Sequence, residues 1–194
     1  KLVLRKRYSL YYALVFMGGA RRQIFVVFAA LLMVQRFNFG AHEIALMFLG
    51  NGLLSMWLAP KIGGLVSRWG ERRALTLEYV GLVLVFLAYG FVDWAPLAVA
   101  LYMFDHVLFA MAIAQKTYFQ KIADPADMAS TAGVSFTINH IAAVVLPAIM
   151  GVLWLVSPTA VFMLGAAMAC VSLVLARWVP THPVPGQEWV SPLG

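Results

Sequence analysis

The chain has 194 residues, of which 63% are hydrophobic and only 11% charged, with a formal net charge of +6. Soluble domains carry roughly 25% charged residues, so this composition, with a mean hydropathy of +0.86, excludes an ordinary water-soluble globule and makes the bilayer the natural solvent. The basic surplus does not mark a nucleic-acid binder, because the Lys and Arg residues sit in short groups between apolar runs rather than on one face.

The chain opens on a basic segment, residues 1–7, with Lys1, Arg5, Lys6 and Arg7. It begins with Lys rather than Met and shows no signal-peptide pattern, so the expectation is a piece of a longer protein. Crossing roughly 30 Å of hydrocarbon takes about 20 apolar residues in a helix. Six runs meet that length, at about 8–34, 44–66, 74–92, 96–114, 132–156 and 160–179. Consecutive apolar positions such as Leu82-Val83-Leu84-Val85-Phe86-Leu87 exclude the alternation of a membrane barrel. The fold class expected is therefore all-α, a polytopic bundle of six transmembrane helices over 8–179.

Polar residues interrupt these runs at few places. The first carries Gly18-Gly19 and then Arg21, Arg22 and Gln23, with Arg21 about 13 residues and roughly 20 Å along the helix from Tyr8. The second carries Asn51, and the third has Glu78, which is expected to pair with Arg72 or Arg73 near its end. The fourth carries Asp105 and His106. The fifth carries Asn139 and His140, with Pro147 beyond, and the sixth holds the single cysteine, Cys170, read as a small packing residue. Trp57, Trp94, Trp154 and Trp178 fall near run ends and read as interfacial anchors. The tail, 180–194, is rich in proline and reads as extended and partly disordered.

Charge orients the bundle. Lys1, Arg5, Lys6 and Arg7 precede the first run. Lys61, Arg68, Arg72 and Arg73 surround the second link, Lys116 and Lys121 flank the fourth, and Arg177 ends the last run. The other three links carry only Arg36. The positive-inside rule then places both termini and the second and fourth links in the cytoplasm, with no conflict along six spans. Short links make sequential helices antiparallel neighbours and leave no room for a soluble domain. No similarity emerges between runs one to three and runs four to six.

The intramembrane polar groups are the candidate functional residues, since charge at membrane depth usually faces a cavity or a partner. Adjacent arginines point about 100° apart. One of Arg21 and Arg22 is therefore expected to line a cavity and bind an anion through its planar fork, the other to pair with Asp105. Gln23, Asn51, Asn139 and His140 are candidate substrate contacts. Asp105 and His106 are candidates for proton coupling, because a carboxylate held where charge is poorly solvated can carry a proton and a histidine titrates near neutral pH. The rival readings are helix–helix pairing for the arginines and for Asn139 and His140, and a neutral His106 bonded to a nearby carbonyl. Gly18-Gly19 and Pro147 read as hinges or, for the glycines, as close packing. A zinc site from His106, His140 and Asp105 lacks any paired-histidine spacing, so no metal, cofactor or catalytic set is expected.

The second link reads Gly63-Gly64-Leu65-Val66-Ser67-Arg68-Trp69-Gly70-Glu71-Arg72-Arg73. It resembles the cytoplasmic loop motif of the major facilitator superfamily: Gly, three residues, Asp, a basic residue, any residue, Gly, then two basic residues. Gly63, Arg68, Gly70 and Arg72 match, and Leu65 and Leu75 sit where the family favours Leu. Ser67 replaces the acid and Glu71 the first basic residue, so this loop lacks two charges of the family's relay; Ser67 retains the chemistry of a helix cap. Gly63 is expected to let helices approach, Gly70 to make the turn, and the arginines to face lipid headgroups.

The resemblance implies a six-helix half of a twelve-helix secondary transporter, the C-terminal half given the basic segment ahead of the first run. Its implied partners are an N-terminal six-helix half of the same transporter, a small-molecule substrate and the lipid bilayer, with no nucleic acid. A six-helix unit working as a dimer is the alternative assembly. The resemblance further implies that helices one, two, four and five border the cavity while three and six pack outside. The function expected is secondary active transport of a small organic anion by alternating access, as a proton-coupled symporter or antiporter of a cell or bacterial inner membrane, and no enzyme. The alternative is a non-transporting scaffold or assembly factor of the same fold.

Overall fold

The structure, a computed structural model, describes residues 4–191. Lys1 of the basic segment and residues 192–194 of the tail lie outside the described residues. Among those described, six helices are long and apolar enough to cross a membrane: α1 (Lys6–Phe37), α2 (Ala41–Trp69), α3 (Glu71–Phe91), α4 (Ala95–Ile122), α5 (Pro125–Val156) and α6 (Pro158–Arg177). The six apolar runs thus become six helices, most of them longer than the runs because polar turns continue them past the hydrocarbon. Two helices are irregular inside. α1 turns π-helical over Ile24–Ala29, directly after Arg21-Arg22-Gln23. α4 tightens at Met111 and Ala112, where backbone N–H groups bond carbonyls three residues back. Pro60 and Pro147 both lie within continuous helices.

Packing follows a pattern that the residues alone conceal. α1 packs on α5, α2 on α4 and α3 on α6; α1 also meets α6, and α3 meets α4. Exchanging helices one, two and three for four, five and six maps this set of pairs onto itself, the pattern of two equivalent helix triplets. Close approach is bought with small residues. A Cβ on Gly165 of α6 would come within 2.8 Å of the Phe86 ring on α3, and one on Gly19 of α1 would collide with Asn139 of α5. Gly18-Gly19 therefore sits at a packing contact. Gly63 and Gly52 have nothing within 4 Å of such a Cβ, so Gly63 does not mediate an approach within this bundle.

The two ends are tied by charge. At the end carrying both termini, Asp127 accepts from Arg5 Nε (3.1 Å) and Nη2 (3.0 Å), Arg7 Nη2 (2.6 Å) and Tyr8 Oη (3.0 Å), fastening the start of α1 to the start of α5. Glu71 meets Lys121 at 2.6 Å, joining α3 to the end of α4. At the other end Arg36 pairs with Asp93 at 3.2 Å and donates to the Val92 carbonyl.

Several sequence expectations are corrected here. Ser67 caps nothing: it lies exposed in the last turn of α2, and α3 is entered from Gly70, whose φ of 82° only glycine adopts freely. Trp154 is buried against Phe28 and donates to Gln35 Oε1 at 3.0 Å, so it is a packing residue rather than an interfacial one. Cys170 is exposed on α6. The tail, where described, is folded back: Val190 N–H donates to the Trp178 carbonyl, and Tyr118 Oη donates to the Glu188 carbonyl.

Gly165→Val is expected to lower stability by about 1–3 kcal/mol through overpacking against Phe86, seen as a lower melting temperature in detergent. Gly52→Ala, which meets no atoms, is expected to leave the melt unchanged.

Candidate functional site

A cavity of about 610 Å³ opens among the helices, lined by Tyr11, Gly18, Gly19, Arg22 and Phe25 from α1, and by Asp105, His106, Phe109, Gln115 and Lys116 from α4. Ser135, Phe136 and Asn139 line it from α5, Ser55 from α2 and Glu78 from α3. Helix α6 contributes nothing to it, in line with an outer position, but α3 does contribute.

The adjacent arginines divide. Arg22 lines the cavity and has no ion pair among the described residues. Arg21 is fully buried behind the wall. Its Nε donates to the Met17 carbonyl at 3.1 Å, and its guanidinium lies 4.6 Å from the centre of the Tyr79 ring, a cation–π contact. Gln115 Nε2 in turn donates to Tyr79 Oη at 2.9 Å, so α1, α3 and α4 meet around one ring. Neither Nη atom of Arg21 has a hydrogen-bond partner among the described residues. Its charge is answered at longer range by Glu78 and Asp105, which are 1% and 0% exposed and both feel the guanidinium electrostatically.

Neither Asp105 oxygen accepts a hydrogen bond from the described residues. His106 Nδ1 stands 3.5 Å from Asp105 Oδ2 but is closer to the Tyr102 carbonyl, at 3.0 Å. That contact requires the proton on Nδ1, since a carbonyl only accepts. The site thus combines two buried carboxylates, one buried guanidinium, and the cations Arg22 and Lys116 on the cavity wall.

Of the residues singled out in the sequence, Arg22, Asp105, His106 and Asn139 come together at this cavity, with Arg21 immediately behind. Three do not. Gln23 is half-buried outside the lining, and Asn51 is buried against Tyr102 on the α2–α4 contact. His140 is exposed, its Nδ1 bonded to the Phe136 carbonyl at 2.9 Å. Residues missed are Glu78, Gln115 and Lys116. Glu78 does not reach Arg72 or Arg73: α3 begins at Glu71, so Glu78 sits about two turns inside it, roughly 10 Å along the axis. Its presence as an acid in a run with few others was the available signal. Lys116 reads from the sequence as flanking the fourth link because the apolar run ends at 114, whereas the helix continues to Ile122 and carries Lys116 inside it.

The loop residues Arg68 and Arg73 are exposed and Arg72 half-buried. Gly63, Ser67, Arg68, Gly70, Arg72 and Arg73 all lie at the end of the bundle far from the buried charges, so they form no part of the cavity lining.

Removing Arg21 strands two acids. Arg21→Met is expected to destabilise the protein by about 3–5 kcal/mol, with partial recovery on adding Glu78→Gln and Asp105→Asn. Arg22→Met, on the cavity wall, is expected to melt near the parent temperature.

A family model described as Major Facilitator Superfamily matches residues 10–193. No curated protein matches the chain.

Proposed function

This chain belongs to the major facilitator superfamily, a family of membrane transporters, and from that premise we propose that it moves a small organic anion by alternating access with a proton as the coupling ion. The observation that carries the reading is Arg22: a guanidinium on a cavity wall at membrane depth that makes no ion pair among the described residues, its charge felt by Asp105 only at a distance. A fork of donors held there suits a carboxylate or phosphate group of the solute. Lys116 and Gln115 from α4 and Asn139 from α5 offer further donors around the same cavity.

The coupling role falls to Asp105, with Glu78 beside it. Asp105 feels Arg22 as well as Arg21, so once an anionic solute occupies Arg22, two ionised carboxylates face one buried guanidinium and leave excess negative charge in a medium that solvates charge poorly. A proton on either carboxylate balances the set. A proton gained when the cavity faces one side and released when it faces the other would link the solute's movement to a proton gradient. His106, with Nδ1 committed to its own helix, serves as the cavity-side relay.

Transport requires a second wall. α2 and α5 leave large apolar side chains exposed, among them Leu49, Leu53 and Met56 on one and Val144, Val152 and Leu155 on the other. In this reading a second six-helix half packs there, and the cytoplasmic placement of both termini follows from the basic links at their end.

The test is transport by the full-length parent in vesicles under an imposed pH gradient, with a panel of carboxylate and phosphate-bearing anions. Arg22→Ala is expected to reduce uptake about tenfold or more while insertion is retained. Asp105→Asn is expected to keep solute exchange but lose gradient-driven accumulation. Undiminished transport in Arg22→Ala would remove the binding role, and gradient-driven accumulation surviving in Asp105→Asn would remove the coupling role.

A further inference from the structure

A second cavity, of about 330 Å³, lies at the end of the bundle that carries the termini, between Arg72 of α3 and the folded-back tail. Pro180, Thr181, His182, Gln187, Val190 and Ser191 complete its wall. The tail is held over it by the Val190–Trp178 and Tyr118–Glu188 hydrogen bonds, and Pro183 is buried beneath. We propose that this cavity is a headgroup site for an anionic phospholipid, with Arg72 as the phosphate-binding group.

Charge accounting at this end supports an anion. Glu71 is matched by Lys121 and Asp127 by Arg5 and Arg7. Asp124 and Glu188 have no ion pair among the described residues and accept only the Ala126 and Gly186 N–H groups, so these two acids stand against four unpaired arginines. The guanidinium of Arg72 has no ion pair or side-chain hydrogen bond among the described residues, and Arg68, Arg73 and Arg177 are likewise without an acid. An arginine fork with a threonine hydroxyl and an imidazole near it is a donor set suited to a phosphate diester.

The surroundings point to lipid as the source of that phosphate. Trp69, Trp178 and Trp189 are 46%, 39% and 58% exposed, and each lies within three residues of a lining residue. Exposed indoles of a membrane protein settle at headgroup depth, so three of them place the cavity where lipid phosphates lie. The surplus arginines favour a headgroup of net negative charge over a zwitterionic one. This inference is independent of the transport reading, because it uses neither the central cavity nor its residues.

The experiment titrates the full chain in detergent with phosphatidylglycerol or phosphatidylcholine and counts retained lipids by native mass spectrometry. Preferential retention of phosphatidylglycerol is expected, weakened about tenfold in Arg72→Gln and weakened also in His182→Ala, which alters only the exposed tail. Arg68→Gln, outside the cavity, is expected to retain the lipid as the parent does, which separates a site from diffuse charge. Equal retention of both lipids, or undiminished retention in Arg72→Gln and His182→Ala, would overturn the proposal. So would displacement of the lipid by millimolar inorganic phosphate, which would make the cavity a soluble-anion site.

Discussion

A guanidinium enclosed in a bundle that water cannot reach sets the terms for everything around it. Arg21 cannot shed its proton, so the fold must answer its charge. Tyr79 answers with a ring face, Met17 with a carbonyl, and Glu78 and Asp105 with long-range negative charge. These groups come from three helices. Fixing Arg21 therefore fixes α1, α3 and α4 against one another, and the cavity is the space left beside that junction. Arg22 inherits its place on the wall because it is next in sequence and one helical step around.

The remainder of the bundle divides its labour by depth. At mid-membrane, helices meet through small residues, as Gly165 does with Phe86 and Gly19 with Asn139. At the ends they meet through charge, as in the Asp127 cluster and the Glu71–Lys121 pair. Contacts of the first kind gain van der Waals energy without needing water. Asp127 is largely enclosed and accepts four bonds, two from Arg5 just ahead of α1 and two from its first turn, whereas the Arg36–Asp93 pair at the opposite end is largely open to solvent and contributes little.

The helices were legible because apolar runs of sufficient length have one interpretation in a chain so poor in charge. Arg22, Asp105, His106 and Asn139 were legible because each interrupts such a run. Glu78 and Lys116 were not, since both stand near the ends of runs, where charge is ordinary, and the helices extend further than the runs do. His140 shows the opposite limit: it follows Asn139 directly, yet the step of about 100° carries it off the cavity wall. The return of the tail was hidden by its prolines, which declare irregular backbone but say nothing of where that backbone lies. The paired arrangement of the two helix triplets left no trace in residue identity, because packing constrains volume and shape more than side-chain type.

The π-helical stretch at Ile24–Ala29 bears on how such a site arises. A π turn accommodates one residue more than the α turn it replaces, so the chain ahead of it is rotated by about 100° relative to an uninterrupted α-helix. Arg21 and Arg22 lie immediately ahead. The choice of which arginine is sealed among the acids and which meets the cavity thus rests on a single surplus residue, the equivalent of one inserted codon.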